Sequence, residues 1–339
     1  MPLGHYSVEV GDGPLGGYVL RDEDAGSAAR VLPDVGANCV QFSVPGPDGQ
    51  AIEILRTAES AEALRLAPSR FGLPLLFPFP NRIRHGRYTF QGRTYQLLQN
   101  SRGQAIHGLV IAARFRVEAA EATAQGAHLR CVIAHADLPE PVGYPFPFRF
   151  VVDYYLQGTT VTLTVSATNE GDRAMPIGFG IHPYLNAPLT EGGRRQDCRI
   201  TAPVSKQWEL DSTLIPTGRR VPLAADHPLR TMAPFNDRTY DDVYTGVTSV
   251  DGWSTCRLVD PAVPIAVAVE ADSNFREIVV YAPPGQDVVC FEPYTCTTDA
   301  FNLNERGIDG GRIILESGRQ WTATIRIVAQ PAYVNRHQH

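Results

Sequence analysis

The sequence predicts an all-β protein, a large antiparallel β-sandwich with few short helices, on three observations. Thirty glycines and 27 prolines interrupt the 339 residues, so few windows are long enough for an amphipathic helix and turns come at short intervals. Between the turns apolar residues recur with period two. In "TTVTLTVSATN", Val161, Leu163 and Val165 alternate with Thr162, Thr164 and Ser166, the pattern of a strand with one buried and one polar face. Finally, strand candidates follow one another without intervening helices, which argues against a parallel α/β sheet.

Taken along the chain, the elements read as follows. Gly11 to Gly16 matches G-x-G-x-x-G, but Pro14 falls inside it and "GYVLRDE" continues as a strand instead of opening a helix, so no dinucleotide loop is expected. "RTAESAEALRLA", Arg56 to Ala67, is the one stretch with helical character. "GRYTFQGRTYQLL" reads as a hairpin turning at Gln91-Gly92, and "REIVVYAP", "DVVCFEP" and "WTATIRIVAQ" read as strands. "PGPDG", "LPEPVGYPFPF" and "APPGQ" serve as turns between them. Neither a linker nor a fixed-period repeat is evident, so residues 1–339 are expected to form one domain. The tail "NRHQH" reads as a frayed end, not a metal site.

Composition excludes several functions. Hydrophobic residues make up 43% and charged residues 19%, ordinary for a globular protein. A net charge of -6 offers no basic footprint, so neither nucleic acid nor a membrane is expected as a partner. The cysteines at 39, 131, 198, 256, 290 and 296 form no C-x-x-C pair, which predicts reduced thiols, not a zinc site or a disulfide scaffold. No secretory leader or membrane-length apolar run is visible, and the expected location is cytoplasmic. Lys206 is the single lysine, and nothing near it suggests the desolvated amine of a Schiff base. Walker, G-x-S-x-G and H-E-x-x-H motifs are missing, so no cofactor or metal is expected.

Four segments far apart in sequence concentrate polar and titratable residues among apolar neighbours. They are "GLPLLFPFPNRIRHGRY" with Asn81 and Arg82, "AIHGLV" with His107, "GFGIHPYLN" with His182, and "VVCFEPYTCTTDAFNL" with Glu292. In kind and order these resemble the aldose 1-epimerase (galactose mutarotase) family, which carries N-R-I, H-G, H-P-Y and then a glutamate ahead of D-A-x-N. "GRYTFQGRTYQL" and "GYPFPFRFVVDYYL" also look like family stretches, and the resemblance runs from about Gly36 to about Ile327.

The resemblance implies a galactose mutarotase-like supersandwich that interconverts the α and β anomers of a free aldose such as galactose or glucose. Its partner would be a small sugar, and the protein a monomer or homodimer. Opening a hemiacetal ring needs a base at O1–H and an acid at the ring oxygen, which the family's pattern assigns to Glu292 and His182 respectively. For His182 to act as an acid near neutral pH its imidazolium must persist, which a nearby carboxylate would favour. Arg82 and Asn81 would hold sugar hydroxyls. His107 would orient the sugar or share the acid role. Asp241 in "RTYDDVYTG" matches a further family aspartate, with Asp242 beside it as the alternative, and Tyr184 and Asn302 are additional contact candidates. His85, His128, His135 and His227 read as surface residues.

The chain also departs from the family. Leu109 and Phe115 stand where many members have other residues after H-G, and Tyr294 replaces a glutamine two residues beyond the glutamate, which predicts an altered wall near the base. Two alternatives stay open: a hexose 6-phosphate as substrate, met by Arg84, Arg87 or Arg102, and a non-catalytic sugar-binding protein on the same fold. A lyase or hydrolase would need a second acidic residue or a metal, and Glu292 has no evident partner for that.

Overall fold

The computed structural model describes residues 5–139 and 143–331; the "NRHQH" tail and part of the "LPEPVGYPFPF" turn lie outside them. Two large antiparallel sheets and a five-stranded one hold most of the strand residues. The first large sheet is built in the order Arg116–Thr123, Gly126–Ala134, Phe148–Gln157, Thr160–Asn169, Gln320–Pro331, Ile265–Ala271, Ser254–Val259 and Arg199–Thr201. In Thr160–Asn169 the even-numbered positions are half-buried and the odd-numbered ones buried, as the period-two pattern requires.

The second large sheet runs Pro216–Pro222, Lys206–Leu210, Tyr240–Thr245, Glu277–Ala282, Val288–Tyr294, Gly180–Ile181 and Leu75–Leu76. Its two central strands are buried along their length, except for a half-buried Tyr281. Alternation divides their side chains. Ile278, Val280, Val289 and Phe291 join the main apolar core with Phe150, Val152, Leu163, Val165 and Ile325 of the first sheet. Val279, Tyr281, Cys290 and Glu292 stand on the opposite face, because Val279 pairs with Glu292 and Tyr281 with Cys290. The sandwich interior lies on one side of this sheet and Glu292 stands on the other.

The smaller expectations fare variously. Gly11 to Gly16 is the turn between strands Tyr6–Val10 and Tyr18–Asp22, with Arg30 Nη1 donating to the carbonyl of Gly16 at 2.9 Å. Gln91 and Gly92 have φ of 49° and 74°, which gives the hairpin a turn of matching twist. The helix is shorter than its stretch of sequence, Ala61–Leu66, and starts where the Ser60 hydroxyl accepts from the Ala63 amide at 3.1 Å. All six cysteines are buried free thiols. Among the described residues no helix is long and apolar enough to cross a membrane.

Of the histidines expected at the surface, only His85 is exposed. His128 is buried, with Nε2 2.7 Å from Asp153 Oδ1, because its strand is covered along nearly all its length. His135 and His227 are half-buried. The former contacts the Tyr144 carbonyl and the latter caps helix Pro228–Thr231.

Candidate active site

A cavity of about 260 Å³ opens over the outward face of the second sheet, and its lining includes Asn81, Arg82, His107, His182, Tyr184, Asp241 and Glu292. Seven of the eight residues singled out from the sequence therefore meet in one place. The strands supply the floor. Glu292 is 1% exposed and sits across from Val279 in register, while Asp241 sits across from Tyr281. Alternation separates the two neighbouring aspartates. Asp241 lines the cavity, whereas Asp242 accepts from Gln207 Nε2 at 2.7 Å on the other side of its strand.

Asn81, Arg82 and His107 come from two loops tied to one another. Asn81 and His107 both adopt left-handed backbone, with φ of 51° and 64°, and the His107 amide donates to the Asn81 carbonyl at 2.8 Å. Such conformations cost energy and persist where the surroundings enforce them. Enforcement here includes Gly108, at φ 74°. A Cβ on it would strike the Phe77 backbone, so the glycine of H-G is needed for close approach. Arg82 Nη1 donates to Asn81 Oδ1 at 2.9 Å, which turns the guanidinium across the loop.

His182 is held by its amide, which donates to the Pro74 carbonyl at 3.0 Å. Its ring stacks on Tyr184, with centroids 4.7 Å apart, and meets His107 edge-on at 5.5 Å. Nε2 of His182 lies 3.3 Å from Oε1 of Glu292. The Nδ1 atoms of His107 and His182 are buried and have no hydrogen-bond partner.

Burial governs the electrostatics. It pushes the His182 imidazole down to about 3, with Arg82 adding to the fall. His107 is lowered by burial, then by His182 and Arg82. Glu292 is raised well above the carboxylate range by burial, opposed by a hydrogen bond from Tyr294. Burial also raises Asp241, which Arg82 and Arg102 counter. The expectation that the carboxylate would keep His182 protonated thus meets a larger desolvation effect. Burial thus favours the uncharged form of each group, the acid for Glu292 and the neutral imidazole for His182.

Asn302 is the candidate that does not line the cavity. Its Nδ2 donates to the Arg87 carbonyl at 2.8 Å and to Asp299 Oδ1 at 2.7 Å. Asp299 in turn accepts from the Arg84 amide at 3.0 Å, and its own amide donates to the Arg82 carbonyl. The D-A-F-N stretch is therefore a brace under the loop that carries Asn81 and Arg82. Of the arginines considered for a phosphate, only Arg102 lines the cavity, and Arg84 is bound to Asp211 at 2.5 Å. Ser69, Arg70, Tyr281 and Gln286 also line it and were not singled out from the sequence. Tyr281 follows from strand alternation once the register is known, whereas the other three sit in turns whose sequence carries no signal. Among the described residues no cluster could hold a metal ion.

The aldose 1-epimerase family pattern matches residues 18–328. The chain belongs to the aldose 1-epimerase family. Among similar proteins, YihR of Escherichia coli K12 is 28% identical over 76% of this chain and 78% of its own. Galactose mutarotase of Sus scrofa is 25% identical over 56% of this chain and 53% of its own. A galactose mutarotase-like protein from Clostridium acetobutylicum superposes with a TM-score of 0.86 at 23% identity, covering 96% of this chain and 99% of that one. Galactose 1-epimerase from Lactobacillus acidophilus gives 0.74 at 16% identity, over 97% and 100% of the two chains. At these identities the superpositions establish the galactose mutarotase-like fold, and family membership rests on the sequence pattern.

Proposed function

We propose that this aldose 1-epimerase family member is an isomerase that interconverts the α and β anomers of a free aldose, with Glu292 and His182 as the proton-transfer pair. The carrying observation is one buried carboxyl and one buried imidazole 3.3 Å apart in the wall of a cavity. In the forward step the pair reacts as carboxylate and imidazolium, reached when the proton passes to His182: Glu292 takes the proton from O1, C1=O1 forms, the C1–O5 bond breaks, and His182 delivers its proton to O5. Opening leaves the pair as carboxylic acid and neutral imidazole, the uncharged forms that burial favours. Rotation about C1–C2 and the reverse transfers close the ring on the other face. Asn81, Arg82, His107 and Asp241 would hold the remaining hydroxyls, and Tyr184 supports the His182 ring by stacking.

Polarimetry of freshly dissolved α-galactose and α-glucose tests the reading, with spontaneous mutarotation as the control. The wild type should accelerate the approach to equilibrium, and Glu292→Gln should lose roughly a hundred- to ten-thousand-fold of that rate. A second reading, a sugar bearing an anionic group, is favoured by Arg70 and Arg102, which place two further guanidiniums on the cavity lining. Glucose 6-phosphate run in parallel separates the two. No acceleration for any of these sugars would defeat both.

A further inference from the structure

Tyr294 was expected to alter the wall of the site, but it does not line the cavity. Its ring is completely buried in a cluster with Leu76, Trp208, Val243 and Val279, and its hydroxyl donates to Oε2 of Glu292. The other oxygen, Oε1, faces Nε2 of His182 at 3.3 Å. Each carboxylate oxygen thus has its own neighbour.

The chain makes room for this tyrosine at a particular place. Gly180 pairs with Tyr294 across the sheet, and a Cβ on Gly180 would fall into the tyrosine ring. The segment "GFGIHPYLN" therefore does two things within three residues: it admits the ring at Gly180 and carries the imidazole at His182.

We infer that Tyr294 is a positioning residue for the base, holding one oxygen of Glu292 so that the other stays turned toward His182 and the sugar. The assignment rests on the acid/base reading above. A donor directed at a carboxylate stabilises the ionised form. Glu292 needs such help, because burial disfavours its charge and Asp241 adds to that, with Arg82 opposing. The other ionisable groups around it are His182, Cys290, Tyr184 and Tyr281. Among the described residues, Tyr294 is the one whose hydroxyl donates to the carboxyl.

The test is Tyr294→Phe, which keeps the ring that fills the cluster. A hydrogen bond to a charged group corresponds to about one to two pH units. Isotope-edited infrared titration of the Glu292 carboxyl should show its midpoint higher by that amount. In mutarotation the alkaline limb, where the pair loses its shared proton, should move up equally. The plateau kcat should fall about ten- to a hundredfold with KM little changed, since the reactive carboxylate–imidazolium form becomes rarer. Tyr294→Gln, which restores a donor, should recover part of the shift. An active wild type whose midpoint and limb are unmoved in Tyr294→Phe overturns this assignment alone. A wild type that accelerates no anomerisation overturns the epimerase reading and this assignment with it.

Discussion

Glu277 provides a direct test of how burial sets ionisation on this sheet. It pairs in register with Tyr294 and is 0% exposed. Oε2 accepts from Trp208 Nε1 at 2.9 Å, while Oε1 has no hydrogen-bond partner and lies 3.8 Å from Arg276 Nε. Burial pushes the carboxyl from its ordinary 4.5 up to about 7. Because the folded pKa is the higher, the folded state holds this proton more tightly. The associated stability is fully present below pH 4.5 and is lost as pH rises through about 7. The gap corresponds to up to about 3 kcal/mol. Glu277→Gln keeps an acceptor for Trp208 and cannot ionise. Thermal unfolding of both proteins should therefore coincide near pH 4 and diverge above pH 7, with the variant melting higher. Coincident curves at both ends, or a variant less stable above pH 7, would refute the reasoning.

Other expectations follow from the same geometry. His182→Ala should lower kcat roughly a hundredfold or more, whereas His107→Asn, if His107 orients the sugar, should act mainly on KM; polarimetry at varied sugar concentration separates them. Asp241→Asn should raise KM and Asp242→Asn should leave it nearly unchanged, since only Asp241 lines the cavity. Asn302→Ala removes two hydrogen bonds from the brace beneath Arg82 and should cost about 1–3 kcal/mol in denaturant unfolding, with a modest rise in KM and unchanged kcat.

The parts of the fold legible in the sequence are those where one physical rule acts alone. Thr160–Asn169 alternates because one face is buried, and Gln91-Gly92 turns because Gly92 takes positive φ without a Cβ clash. Helix Ala300–Glu305 was not legible, since "AFNLNE" lacks the run of alanine, glutamate and leucine that marks the equally short Ala61–Leu66. In the site, the four motif segments drew attention because polar residues interrupt apolar runs. What they could not convey is direction. Asn302 and Asp299 share a motif with Glu292 but turn under the neighbouring loop, and the side each residue takes depends on pairing with chain more than 200 residues away. The state of His182 was likewise hidden, because desolvation depends on everything packed around the ring. Arg70 and Gln286 come from turns, where local sequence says little about what a side chain will reach.

The cavity is assembled from two kinds of material. Glu292 rises from a strand whose alternate residues are locked into the sandwich interior, whereas Ser69, Arg70, Arg102 and Gln286 hang from turns at the mouth. Turns tolerate replacement far better than central strands. If the site turns over a sugar as proposed, replacements in these turns would change which sugar is admitted while leaving the strand that carries Glu292 untouched. On the proposed reading, a change of preference made in these turns would leave Glu292 and His182 in place.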